Sequence, residues 1–323
     1  MKRFSAIALC LVCMSGPLSA TTVSDIFTSF YSFGDSLTDD GKFGLASAGG
    51  LLEAPSFGGR FTTGLTWSEY IEDEFQAAGD DTRNYALGGA TASPVNPRNP
   101  VGPLGTLEKQ IAAFQAELPF LRDPGSNPLV SLWFGANDIF TGQSSVEAAN
   151  LIEAGVRTIG TLGPGAGTSF NTFLLFDLPS IPGVAADAID AFNTQLDANA
   201  AALRADGFNI LRFDPSMTFD AITADFFNGS PLYGITELLA PCAAGFTDGD
   251  PTSCLDAGRD PNTFLFADPV HPTAPVHLLA SQQVSAAIIA ANGPAVVPLP
   301  ASLPLLLAGL GGLGLLARRR RLI

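Results

Sequence analysis

Apolar runs of strand length alternate with amphipathic stretches through most of this chain. FYSF (30–33), LVSLWF (129–134), FNTFLLF (170–176) and NILRF (209–213) are short and bounded by turn formers, and they read as strands. Helical patterns occupy the intervals near 65–78, 105–118, 144–161, 184–205 and 273–291. In the second of these Leu107, Ile111 and Phe114 fall at i, i+4 and i+7, one face of a 3.6-residue period. Strand–helix alternation over this length predicts an α/β fold, a three-layer α/β/α sandwich with a mostly parallel sheet covered on both faces. Sheets of that kind gather reactive groups at the carboxyl ends of their strands. Polar residues do follow the apolar runs here.

The ends of the chain depart from this alternation. Lys2 and Arg3 precede an apolar run from Phe4 to Met14, and GPLSA places small residues before a cut after Ala20. That is the layout of a secretory signal peptide, too short to span a membrane. A lipid-attachment site at Cys10 or Cys13 is the alternative, and Leu9 and Val12 are the wrong residues before those cysteines. At the other end, Pro298 to Ala317 gives 20 uncharged residues followed by Arg318 to Arg321. Its length suits one membrane span, with the basic cluster on the cytoplasmic side. The expected organisation is a signal peptide at 1–20, one domain at 21–297 and a sorting or membrane segment at 298–323.

The body between these segments holds all 31 acidic residues but only ten of the 16 lysines and arginines, a formal charge near −21. Such a surface repels nucleic acid and anionic lipid headgroups, which excludes nucleic-acid binding from the expected functions. Cys242 and Cys254 bracket an 11-residue polar segment and are expected to form a disulfide in an exported protein. With two histidines in the chain, a zinc site lacks ligands. Oxygen ligands near 248–256 leave calcium open as an alternative to a solvated loop.

Four strand ends carry candidate chemistry. Ser36 follows YSFGD and reads either as a nucleophile or as the cap of a helix whose positive end would also favour an alkoxide. Gly88-Gly89 in NYALGGATA exposes backbone N–H groups to a ligand or makes a tight turn. Asn137 in LWFGANDIF is an oxyanion donor or a turn-closing amide. Asp268 and His271 in LFADPVHPTAPVHLLA stand three apart, so that the carboxylate can hold Nδ1–H and free Nε2 as a base. His277 lies on an apolar helical face and reads as a packed or surface side chain. No G-x-S-x-G elbow occurs, which sets aside the α/β-hydrolase arrangement.

Taken together, FGDSLTDDG, GRFTTGLTWSEYIEDEF, NYALGGATA, LVSLWFGAND and FADPVHPTAPVHLLA resemble the blocks of the GDSL, or SGNH-hydrolase, lipases and esterases, in particular their exported bacterial branch. The resemblance runs from about residue 30 to 290. It implies a flavodoxin-like SGNH-hydrolase fold, a Ser36–His271–Asp268 triad, and an oxyanion hole made by the N–H groups of Ser36 and Gly89 with the Asn137 amide. Gly89 is preferred to Gly88 because it stands five residues after Asn84, as in the family block. No cofactor or metal is implied. TDDGKFG replaces the shorter acid-then-asparagine turn of relatives and alters the local pocket wall. The tail, with Val297-Pro298-Leu299-Pro300-Ala301, resembles the VPLPA variant of PEP-CTERM sorting signals. That implies signal peptidase and an exosortase-like protease as partners in a Gram-negative envelope.

The expected function is exported hydrolysis of carboxylic esters, short-chain or lipid, through an acyl-enzyme on Ser36. Phe43, Phe57, Phe61 and Phe140 are candidates for an acyl slot. The rival readings are a deacetylase of surface polysaccharide using the same residues, an inactive surface-anchored binding module, and a structural envelope protein.

Overall fold

A computed structural model describes residues 21–42, 56–98, 102–121, 124–163, 169–229, 232–245 and 253–293. The expected signal peptide, the sorting segment, Phe43 and most of the 248–256 loop lie outside the described residues. Described residues through Ala291 form one compact unit.

Five strands make up its sheet: β1 (Ser29–Gly34), β2 (Asp81–Asn84), β3 (Pro128–Trp133), β4 (Thr172–Phe176) and β5 (Asn209–Phe213). All pair in parallel, in the order β2-β1-β3-β4-β5. This is the flavodoxin-like order, and its direction reverses between β1 and β3, where open α/β sheets bind their ligands. The helices are α1 (Trp67–Ala78), α2 (Leu107–Glu117), α3 (Ala136–Phe140), α4 (Ser145–Thr161), α5 (Ala186–Ala205), α6 (Ser216–Phe227) and α7 (Ala274–Asn292).

Alternation along each strand sorts side chains into two cores, as the two-residue period of a strand requires. Tyr31, Phe33, Val130, Leu132, Phe173 and Leu175 pack with α2, α4 and α5. Phe30, Leu129, Trp133, Leu174 and Phe176 pack with α1 and with Val284 and Ile288 of α7. The Leu107–Ile111–Phe114 stripe turns inward as its spacing predicts, and the Phe114 ring touches Tyr31, Phe33, Tyr85 and Phe170 at 5.1–5.6 Å. Removing a ring so placed costs about 3–5 kcal/mol.

Three elements depart from the expected set: β2, α6 and the five-residue α3 that follows β3. Strand β2 has no apolar pattern to announce it. It is a short edge strand of sequence DTRN, in which Asp81 and Arg83 form an ion pair at 2.7 Å. Helix α6 buries Thr218, Ile222 and Asp225, a stripe that is polar at two of three positions, while Met217 and Phe227 are exposed. Hydropathy alone therefore misplaces it.

Candidate active site

The end of β1 is fixed from both sides. A side chain on Gly34 would meet Thr38 Oγ1 at 2.8 Å and the Trp133 carbonyl at 3.1 Å, so only glycine fits between the strand and its own turn. Gln110 of α2 grips the same residue, accepting from the Gly34 N–H at 3.0 Å and donating to its carbonyl at 2.8 Å. After Gly34 the chain makes a single turn over Ser36–Thr38, and no helix begins in the described residues through Lys42. Of the two readings of Ser36, the helix cap finds no helix there, and Asp35 closes the turn: its Oδ1 accepts from the Leu37 N–H at 3.1 Å, and its carbonyl from Thr38 and Asp39. Ser36 is left with its hydroxyl free to face the other strand ends.

That hydroxyl lies 2.7 Å from His271 Nε2, and His271 Nδ1 lies 2.7 Å from Asp268 Oδ2. Asp268 Oδ1 accepts from the N–H groups of Val270 (2.9 Å) and His271 (2.7 Å), which sets the carboxylate before the ring reaches it. Burial opposes charge on Asp268, yet the His271 hydrogen bond, its charge and the two N–H groups together hold the carboxyl below its ordinary value. A carboxylate that takes Nδ1–H leaves Nε2 to accept the Ser36 proton. Phe61 covers the imidazole at a ring distance of 5.1 Å and contacts Ala267.

Two loops meet beside Ser36. In NYALGGATA, Gly88 gives its N–H to Asp39 Oδ2 at 2.7 Å, which takes it out of play. Gly89, at φ +79°, gives its N–H to no protein acceptor among the described residues, and neither does Ser36. Asp138 anchors the rest of this loop by accepting from Ala92 (2.9 Å) and Ser93 (2.8 Å). Asn137 Nδ2 donates to the Ala90 carbonyl at 3.0 Å and to Asp35 Oδ2 at 3.2 Å. Burial pushes the Asp35 carboxyl up to about 7, against the pull of the Leu37 N–H and the His271 charge.

One cavity is lined by Asp35, Ser36, Asn137 and His271. Asp268 stands behind the imidazole, and Gly89 is not part of the lining. Of the acyl-slot candidates among the described residues, Phe57, Phe61 and Phe140, only Phe140 lines the cavity. Phe57 is half exposed beneath the Arg60 guanidinium, and Phe61 is spent on His271. The apolar wall is instead Trp133, Ile181, Phe219 and Phe266, with the last two stacked at 5.9 Å. Phe266 is braced from outside: Cys242 is bonded to Cys254, and the N–H groups of Cys242 and Ala243 donate to the carbonyls of Phe266 (2.9 Å) and Ala267 (3.0 Å). Among the described residues no group of three or more His, Cys, Asp or Glu is placed to hold a metal ion.

Residues 30–284 match the GDSL-like Lipase/Acylhydrolase family. The chain belongs to that family. A phosphatidylcholine-sterol acyltransferase from Aeromonas hydrophila is 27% identical over 283 residues, 82% of this chain and 80% of that protein. A thermolabile hemolysin from Vibrio parahaemolyticus is 24% identical over 280 residues, 80% of this chain and 63% of the other. Est24, a carbohydrate acetylesterase from Sinorhizobium meliloti, superimposes with a TM-score of 0.48 at 16% identity, covering 81% of this chain and 99% of that one. As a GDSL-like acylhydrolase, the protein is a carboxylic ester hydrolase.

Within this GDSL-like chain the second histidine takes no part in the cavity. His277 is buried in α7, and its Nδ1 accepts from the Trp67 N–H at 3.3 Å. Burial, reinforced by the His271 charge, pulls its pKa down to about 3. Gln110, Asp39 and Asp138 were invisible to motif reasoning as supports. Only their contacts with Gly34, Gly88 and the Ala92–Ser93 backbone show what they do.

Proposed function

We propose that the protein cleaves carboxylic esters through an acyl-enzyme on Ser36, and that the Oγ–Nε2 contact of 2.7 Å within the apolar-walled cavity is the observation that carries this reading. Ser36 Oγ attacks the ester carbonyl while His271 Nε2 takes its proton, and Asp268 holds the imidazole and steadies the cation that forms. The N–H groups of Ser36 and Gly89 and the Asn137 amide receive the tetrahedral oxyanion. His271 then protonates the leaving alcohol, the alkoxy group departs, and water repeats the cycle on the acyl-enzyme to release the acid. Short-chain and lipid esters suit a wall of Trp133, Phe219 and Phe266.

Export belongs to the same proposal. The charged–apolar–small pattern of residues 1–20 supports secretion, and the VPLPA motif, uncharged run and arginine cluster of 297–323 support envelope sorting by signal peptidase and an exosortase-like protease. The paired Cys242 and Cys254 fit an oxidising compartment.

A fluorophosphonate probe applied to the full-length chain tests the chemistry. Labelling at Ser36, lost in Ser36→Ala together with hydrolysis of p-nitrophenyl butyrate, is the expected result. Ester cleavage that survives Ser36→Ala would overturn the assignment.

A further inference from the structure

One cation on the wall of this cavity has no hydrogen-bond or ion-pair partner for its head group among the described residues. The described lysines and arginines other than Arg98 give their head groups to a carboxylate or a carbonyl: Arg60 to Glu69, Arg212 to Asp177, Arg204 to the Ile210 carbonyl, and the others likewise. In a body with 31 acidic residues that is the expected outcome. Arg98 is different. Its guanidinium makes no hydrogen bond or ion pair among the described residues and rests over the Phe140 ring, 5.5 Å from its centroid. It lines the same cavity as Ser36 and His271.

Its side chain is exposed, and its backbone is held in place. The Arg98 N–H donates to Asn96 Oδ1 at 3.0 Å, and Asn96, itself buried, donates through Nδ2 to the carbonyls of Gly89 (2.9 Å) and Gly105 (2.6 Å). One buried amide thus ties the backbone of Arg98 to the candidate oxyanion loop. A contact with the Phe140 ring face uses none of the guanidinium N–H groups, which remain available to a ligand. The guanidinium fork matches the paired oxygens of a phosphate or carboxylate. Most of the wall is apolar, and its polar members, Asp35, Ser36, Asn137, Ser180 and His271, make no hydrogen bond to the guanidinium.

We propose that Arg98 is a specificity-determining residue that binds an anionic oxygen group on the substrate, so that the preferred ester carries a phosphate or carboxylate close to its scissile carbonyl. The assignment rests on Ser36 being the nucleophile. It also reconciles a strongly acidic body with an anionic substrate: the surface at large repels anions, and one positive charge on the wall of the cavity that holds Ser36 selects them. Arg98 makes and breaks no covalent bond. The hydrolysis itself remains ester plus water to acid plus alcohol.

Matched pairs of esters test this on the full-length protein. One pair is monobutyrylglycerol and its 3-phosphate, with the charge on the alcohol half. The other is p-nitrophenyl butyrate and p-nitrophenyl hemisuccinate, with the charge on the acyl half. The readout is the ratio of kcat/KM for the anionic ester to that for its neutral partner. In the wild type the ratio exceeds one in at least one pair, and the pair that shows it locates the charged half. Arg98→Gln lowers that ratio at least fivefold, chiefly through KM, and Arg98→Lys retains part of it. A wild type that prefers the neutral ester in both pairs, or a smaller fall in Arg98→Gln, overturns the proposal while leaving the hydrolase intact. Failure to cleave any of the four esters, with no fluorophosphonate labelling of Ser36, sinks the hydrolase reading and this proposal with it.

Discussion

Asn137 spends the longer of its two Nδ2 hydrogen bonds, 3.2 Å, on Oδ2 of Asp35, the residue that precedes Ser36. The other, 3.0 Å, goes to the Ala90 carbonyl, so both amide hydrogens are engaged at rest. An oxyanion can use this amide only by displacing one acceptor. Asp35 lines the cavity and Ala90 does not, which makes the Asp35 bond the one that yields. Asp35→Asn keeps an oxygen for the Leu37 N–H but turns a second amide N–H₂ toward Asn137. We expect kcat to fall roughly 10- to 100-fold with little change in KM, because a donor misplaced by about 1 Å forfeits transition-state contact. Asn137→Ala loses the donor outright, and a loss of about 10²–10³ in kcat is expected. Steady-state kinetics on one soluble ester checks both, and a near-normal rate in Asn137→Ala removes that residue from the oxyanion site.

Gln110 is the residue whose loss should separate folding from chemistry least cleanly. Its amide reciprocates with both backbone groups of Gly34 and also donates to the Leu104 carbonyl at 2.9 Å, all of it buried. Gln110→Leu fills the space but orphans those groups, at roughly 1–3 kcal/mol for each that finds no water. Urea denaturation should show a lower midpoint with an unchanged slope. Because Gly34 sets the turn that carries Ser36, kcat should fall with it, whereas Gln110→Glu at a pH low enough to keep the acid neutral should restore part of both.

What the sequence showed and what it hid divide along physical lines. Strands β1, β3 and β4 are buried at every position, so each is written as an apolar run, and edge strand β5 keeps enough of that pattern in Ile210, Leu211 and Phe213. Edge strand β2 owes its place to backbone pairing with β1, and DTRN carries no hydropathic mark of that. Ser36 and Asn137 follow β1 and β3, whose ends flank the switch point of the parallel sheet, and so were legible from the strand pattern. Asp268 and His271 follow no strand of the sheet and were legible from their i, i+3 spacing in the loop before α7. The cavity wall was not, since Phe219 comes from a helix whose buried stripe is mostly polar and Phe266 from a loop held by a disulfide. Phe57 and Phe61 were plausible by position along the chain, yet position could not reveal that one faces Arg60 and the other covers His271.

The Cys242–Cys254 bond reaches the chemistry through two backbone hydrogen bonds. Cys242 and Ala243 pair with the carbonyls of Phe266 and Ala267, the residues immediately before Asp268. Closing a loop with a sequence separation of 12 stabilises by about 2–3 kcal/mol if the effect is mainly on unfolded-chain entropy. Reduction, or the double change Cys242→Ser and Cys254→Ser, should lower the Tm by several degrees. It should also slow turnover well below that Tm, because the loop that presents Asp268 loses its outer brace. Full activity in the reduced protein at 25 °C would show that the bond serves stability alone.

Two buried groups should tilt stability with pH in opposite directions. Glu72 Oε1 accepts from Ser32 Oγ (3.3 Å) and Asn84 Nδ2 (3.1 Å). Burial, aided by the charges of Asp40 and Glu69 and opposed by Lys42, raises its pKa from 4.5 to about 7. Between those values the native state holds a proton that the unfolded chain has released. Stability is therefore fullest below pH 4.5 and declines as pH rises through 7, by at most about 3 kcal/mol from this group. His277 behaves in the reverse sense, because its pKa is depressed from 6.5 to about 3. The unfolded chain takes up a proton that buried His277 refuses, so stability falls as pH drops below 6.5. Urea midpoints from pH 4 to 8 should show Glu72→Gln gaining on the wild type toward alkaline pH and His277→Gln gaining toward acid. Difference curves that run parallel, or stay flat across the range, would mean that neither side chain is held in the protonation state its burial requires.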